Sequence, residues 1–360
     1  MTKSLAALFL TVLALASCGS PRADMGPESG SMEYAEWFDL QDSSIVIISP
    51  YDGTADTVIT SKPAESIVAM SSSYIGMLDE IGAGGFVSGV SGKGFVMTES
   101  VRGAKEVGYE AAPDYETILS LKPDIVLTYA VSSMTPAYVE RLRNLGIRVV
   151  LLWEHLEKHP LARAEYVKMM GALTGRREKA DSAFAAIRDS YLETAAKASR
   201  ASGKPYLDTA SKSSGKPMKV LINIPYADQW FIPGGNNYIT KLIEDAGGTV
   251  LGSKEGEIRS GVISTEEAYA LSKEADFWLN TGWCRTLSDI KSCGPLFRSF
   301  PVLREGAVWN NTKRVTGGGG NDFWESGAAR PDLVIRDLAA ILSGNASESD
   351  LRYYVKVYSD

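Results

Sequence analysis

Two histidines stand four residues apart in "WEHLEKHP" (153–160), and they are the only two in the chain. His155 and His159 have the spacing of two zinc ligands on one helical turn. Leu156 occupies the position where a metalloprotease carries its glutamate, and Pro160 follows at once. The motif therefore reads as a surface loop, with an exported metallohydrolase using His155 and His159 as the enzymatic alternative. "TGGGGND" (316–322) has the glycines of a phosphate cradle but lacks the Lys-Ser/Thr that completes one. It reads as a flexible loop whose Asn321, Asp322 and Trp324 could reach a ligand. No G-x-S-x-G elbow occurs. The chain thus offers no catalytic residue and no metal site of its own. Two histidines are also few for the other alternative, a metal-ion-binding lipoprotein, which needs several such ligands converging.

Cysteine chemistry is more specific. Residues 1–17 carry Lys3, an apolar run shorter than the about 20 residues a membrane helix needs, and small residues before Cys18. Leu15-Ala16-Ser17-Cys18 is similar to the bacterial lipobox, so a lipoprotein signal peptide and lipidation of Cys18 are expected. The Gly/Ser/Pro-rich stretch over 18–43 then reads as a flexible tether. Export would place Cys284 and Cys293, which enclose "CRTLSDIKSC", in an oxidising compartment, where a disulfide between them is expected.

The elements that position these residues follow from patterning. At 360 residues, 44% hydrophobic and 22% charged, the chain is long enough for two lobes of roughly 130–150 residues each. A net charge of −7 without Lys/Arg-rich runs argues against nucleic-acid binding. "IVIISPYDGTADTVIT" (45–60) reads as a hairpin, and residues 66–153 alternate apolar β-branched runs with helical spacing. In "DYETILSLKPDIVLTYA" (114–130), Asp114 is an N-cap, Ile118, Leu119 and Leu121 face inward, and Pro123 stops the helix. The strand after it is continuously apolar, as in a sheet covered on both faces. Residues 161–200 show helical spacing without strands, and alternation resumes in "KPMKVLINIPY". The expected fold is α/β: an N-terminal lobe over 44–160, a helical spine over 161–200 and a C-terminal lobe over 201–360. Each lobe is expected to be Rossmann-like, with a mostly parallel sheet.

The ordered set "SIVAMSSSYIGMLDEIGAGGFVSGVS", "YETILSLKPDIVLT", "LGIRVVLL", "PLARAEYVKMMGALTG", "WFIPGGNNYITKLIEDAGG" and "NDFWESGAARPDLVIRDLAAIL" resembles the helical-backbone periplasmic binding proteins. These are substrate-binding lipoproteins of ABC importers for cobalamin, iron-siderophore complexes or haem. The resemblance covers about residues 62–342. It implies two lobes joined by one long helix, a ligand held between them, and no catalysis. It also implies a membrane permease and its ATPase as partners, a monomer, and a place on the periplasmic face of a bacterial membrane. The ligand would be a metal chelate and no resident cofactor is implied.

Under that resemblance, ligand residues lie at strand ends and helix starts. Ser72 and Tyr74 follow the first lobe strand, and Tyr129 and Trp153 end later ones. Trp230 and Asn236 precede a helix, where the amides of residues 234–236 could bind an anion or carbonyl. Trp283 and Arg285 follow a strand of the second lobe. One exposed glutamate per lobe would dock on permease arginines, and Glu116 and Glu266 match those positions. Both sit in a first helical turn, where macrodipole compensation is their simpler role. Glu267 is the competitor of Glu266, since Ser264 and Glu267 form a capping box.

Overall fold

The computed structural model describes residues 32–202, 216–304 and 306–359. The signal peptide and Cys18 lie outside the described residues. The expected tether ends sooner than its composition suggested. Glu165 accepts hydrogen bonds from the amides of Glu33, Tyr34 and Ala35, and Glu157 from those of Glu36 and Trp37. Both carboxylates are fully buried. β1 (Phe38–Leu40) follows and pairs antiparallel with β2 (Ser44–Ile48), which pairs with β3 (Ala55–Ile59) in the expected hairpin. Its turn is closed by Asp52 Oδ1, which accepts from the Thr54 amide and hydroxyl, and by Gly53 at φ 70°.

The first lobe is built from β4 (Ile67–Ala69), α1 (Ser72–Glu80), β5 (Val87–Val90) and β6 (Lys105–Glu106). A small hairpin of β7 (Gly108–Tyr109) and β8 (Ala112–Pro113) precedes α2 (Tyr115–Leu121), β9 (Ile125–Tyr129), α3 (Ala137–Asn144) and β10 (Val149–Leu152). The sheet order is β10-β9-β4-β5-β6, and every pairing is parallel. Asp114 caps α2 as read, accepting from the Thr117 amide at 3.0 Å. Lys122 ends the helix in the left-handed region at φ 47°, because the residue before a proline avoids the helical conformation. Ile118 is buried, but Leu119 is exposed. The expected inward Leu119 fails because this seven-residue helix has only a narrow buried stripe.

The spine follows the expected region: α4 (Pro160–Ala164), α5 (Tyr166–Thr174) and α6 (Arg177–Ser202). At 26 residues, α6 spans about 39 Å. Its buried face carries Ala180, Phe184, Ile187, Tyr191 and Ala195. This face packs on α5 of the first lobe side and on α11 (Pro331–Leu342) of the second, and one rigid rod therefore serves both.

The second lobe comprises β11 (Met218–Ile222), β12 (Trp230–Ile232), α7 (Tyr238–Asp245), β13 (Gly248–Val250) and β14 (Gly261–Ile263). α8 (Thr265–Ser272), β15 (Phe277–Leu279), α9 (Leu287–Ser292), β16 (Val308–Asn310), α10 (Ser326–Ala329) and β17 (Val355–Lys356) complete it. Its sheet order is β13-β11-β15-β16-β17, parallel except for β17. β12 and β14 form a separate antiparallel pair outside that sheet.

Candidate ligand cleft

All strands of a parallel sheet end on one edge, and ligands of such sheets bind beyond that edge. In the first lobe the chain leaves β4, β5, β9 and β10 into the segments beginning at Met70, Ser91, Ala130 and Trp153. In the second it leaves β11, β15 and β16 into those beginning at Asn223, Asn280 and Asn311. These loops carry half of the large apolar side chains left exposed among the described residues. Val131 (79% exposed) and Met134 follow β9, and Phe95 follows β5. Tyr226 (79%) follows β11, Trp283 (64%) follows β15, and Trp324 follows β16.

The second-lobe loops are held in costly backbone conformations. Asn223, Ala227 and Asp228 after β11, and Asn280 after β15, all have positive φ without being glycine. Each such residue costs about 1–3 kcal/mol, and that strain persists only where the surroundings enforce it. Gly282 would bring a β-carbon against Ile224, and so the Tyr226 and Trp283 loops are neighbours.

Behind the cleft lies a buried polar relay that ties both lobes to the spine. Glu154, 3% exposed, accepts from Ser73 Oγ at 2.9 Å and Tyr74 OH at 3.3 Å. Arg163 of α4 stands 3.6 Å from it, donates to Tyr238 OH at 2.9 Å and stacks over the Tyr238 ring. Burial alone would raise the Glu154 carboxyl; neighbouring His155 and Arg163 and the Ser73 bond outweigh it and hold it below the ordinary value.

Several expected ligand residues turn out to be structural. Tyr74 is fully buried, its hydroxyl spent on Glu154 and the Thr128 carbonyl. Burial pushes that phenol well above its ordinary pKa. Trp230 is 1% exposed, stacks with Trp278, Phe297 and Phe300, and donates to the Ile222 carbonyl. The β12–β14 pair holds it at the end of β11, inside the aromatic stack. Trp153 is buried edge-on to Tyr51. The amides of Gly235 and Asn236 are not free for an anion: they donate to the carbonyls of Lys254 and Glu257. Asn236 itself is exposed, and Asn237 is the true cap of α7.

The remaining expected residues stand at the strand ends. Ser72 is half-buried at the start of α1, directly after the loop from β4. Tyr129 is half-buried at the end of β9, edge-on to His155 at 5.8 Å. Trp283 and Arg285 are exposed. Phe95, Val131, Met134 and Tyr226 join them, beyond the residues expected from sequence. Their signal was available: each is an apolar residue within a few positions of a strand's C-terminal end.

The two histidines part company. His159 Nδ1 accepts from the Leu161 amide and caps α4, with its ring between Tyr34 and Tyr191. Burial, then the nearby Lys241, pushes its pKa down to about 3. His155 turns toward Tyr129 instead. Among the described residues, no three His, Cys, Asp or Glu side chains are grouped to hold a metal ion. Cys284 and Cys293 stand as two thiols with sulfurs 3.7 Å apart, not as the expected disulfide. Cys293 Sγ lies instead 3.5 Å from the Asp289 carbonyl within its own helix.

Glu116 and Glu266 are both exposed in the first turns of α2 and α8. Each helix precedes a parallel strand, which puts these turns at the cleft edge of its lobe. Glu267 completes the capping box, accepting from the Ser264 amide at 2.9 Å, and this leaves Glu266 as the outward carboxylate.

Comparison with known proteins agrees with this arrangement. An uncharacterized lipoprotein of Methanocaldococcus jannaschii is 25% identical over 321 residues, spanning 82% of this chain and 69% of the relative. The vitamin B12 binding protein BtuF of Vibrio cholerae superposes with a TM-score of 0.57 at 14% identity, over 79% of this chain and 98% of that one. A periplasmic heme binding protein from Pseudomonas aeruginosa gives 0.58 at 19%, over 79% and 94%. The siderophore binding protein FhuD of Vibrio cholerae, bound to Fe3+-Desferal, gives 0.55 at 17%, over 77% and 99%. At such identities these structures establish a shared fold. Residues 67–314 match the family model for periplasmic binding proteins, and the chain belongs to that family.

Proposed function

We propose that this protein is the lipid-anchored receptor of an ABC importer and captures a metal-chelate nutrient, a corrinoid, haem or ferric siderophore, between its lobes. The observation that carries the reading is the set of uncovered aromatic and apolar side chains at strand ends of both lobes, led by Tyr226, Trp283, Trp324 and Phe95. Flat rings presented from two sides suit a broad ligand with apolar faces. Structural neighbours named for vitamin B12, heme and a siderophore support the class. Anchoring through Cys18 outside the cytoplasm is supported by the lipobox-like signal and by a relative named a lipoprotein. Glu116 and Glu266 would meet the permease, and no reaction occurs on the receptor. The histidines give the metallohydrolase alternative no support, because His159 is consumed as a helix cap.

The test is titration with cyanocobalamin, haemin and ferrioxamine, read by tryptophan quenching and ligand absorbance. Binding of one of them with a Kd of about 1 μM or tighter supports the reading. Absence of saturable binding to all three overturns the ligand class.

A further inference from the structure

The run Thr316-Gly317-Gly318-Gly319-Gly320 is neither a phosphate cradle nor a loose edge. It lies against the loop that leaves β5 in the other lobe. Thr316 Oγ1 donates to the Gly94 carbonyl at 2.7 Å. A β-carbon on Gly318 would overlap the Gly94 carbonyl, and one on Gly320 the Phe95 carbonyl. Only glycine lets two backbones approach this closely. Gly317, in the same run, faces open space. Just beyond, the buried Glu325 carboxylate crosses the lobes and accepts from the amides of Met97 at 2.9 Å and Thr98 at 2.7 Å. The Glu325 carbonyl presses on α1 at Gly76, where a β-carbon would also overlap it.

The opposite end of the cleft is joined differently. In the first-lobe sheet, β4 and β9 separate β5 from β10. Beyond β10, Tyr51 packs edge-on to Trp153, and Arg259 of the second lobe stacks over the Tyr51 ring at 4.9 Å. Arg259 is exposed, and the contact is one cation–ring pair with the half-buried Tyr51. A cavity of about 470 Å³ lies on the first-lobe side of Trp153, lined by Ser49, Asp52, Thr54, Ser133 and other residues of that lobe alone.

We infer that Gly318, Gly320 and Glu325 clasp the lobes along the β5–β16 side and set their separation, so that the cleft opens only on the Tyr51–Arg259 side. These three are positioning residues, and the gap they hold limits the thickness of ligand admitted. The inference deepens the receptor reading, but its main readout needs no ligand.

Hydrogen exchange of the full chain, without ligand, tests it. In G320V and E325Q, the segment 92–98 should exchange about tenfold faster or more, because a local opening is made easier. G317V should leave that segment unchanged, and so should R259A. Core strand β4 should stay protected in all four. Equal effects of G317V and G320V would overturn the clasp, as would release of 92–98 by R259A to the extent seen in E325Q. If G320V fails to fold, the isosteric E325Q carries the same comparison against R259A, and an unchanged segment there sinks the idea. A ligand arm separates this from the receptor reading. Of cyanocobalamin, haemin and ferrioxamine, any that bind should associate faster with R259A and shift in relative affinity with E325Q. If none binds, the receptor reading fails while the exchange result still decides the clasp.

Discussion

At the residue scale, two tryptophans make the contrast testable. Trp230 sits inside an aromatic stack, and W230A should cost about 3–5 kcal/mol, seen as a large fall in Tm. Trp283 is 64% exposed, and W283A should leave Tm within a degree or two while weakening ligand binding about tenfold. Sequence alone did not separate the two, because both follow apolar runs. What buries Trp230 is Phe297 and Phe300, almost seventy positions away, together with a strand pair outside the main sheet. His159 gives a pH prediction. An unfolded chain takes up this proton near pH 6.5, whereas the folded state resists it down to about 3. The unfolded state therefore binds more protons across that window, and stability falls as pH drops through it. H159Q keeps a cap acceptor without the charge. Urea midpoints measured from pH 7 to 4 should decline less for H159Q than for the parent.

At the element scale, the alternation of strand and helix was legible because local periodicity records which faces are buried. Asp114, Pro123 and the Ser264–Glu267 box also announced themselves, since caps act within one turn. The amides at residues 235 and 236 did not, because their acceptors come from a loop about twenty positions on. The ordered stretch over 33–40 was equally hidden: it follows a Gly/Ser/Pro-rich run, and its amides are held by Glu157 and Glu165, more than a hundred positions on. The Cys284–Cys293 pair lies between these cases. A disulfide needs sulfurs near 2.05 Å, and the two thiols already stand side by side at 3.7 Å. Mild oxidation should therefore close it, detected as a 2 Da mass loss and a raised Tm that dithiothreitol reverses. Persistent titration of both thiols after oxidation would show that burial keeps them apart.

At the scale of the whole molecule, Glu116 and Glu266 present one carboxylate at the cleft edge of each lobe. Neither holds an internal hydrogen bond of its side chain among those resolved, and Glu267 takes the capping role beside Glu266. The double variant E116A/E266A should bind ligand with unchanged affinity, keep its Tm, and lose most of its transport in a reconstituted uptake assay. Loss of affinity in step with uptake would assign these residues to the cleft instead.

The carboxylates of Glu157 and Glu165 have a mechanical corollary. They grip five consecutive backbone amides, residues 33–37, at the base of the first lobe: Glu157 follows β10, Glu165 lies between α4 and α5, and Arg188 of α6 pairs with Glu33. A pull applied at residue 32 would therefore be delivered where the first lobe meets the rod, and to no cleft loop. Such a load would swing the body from its base, but it would have no lever with which to prise the jaws apart.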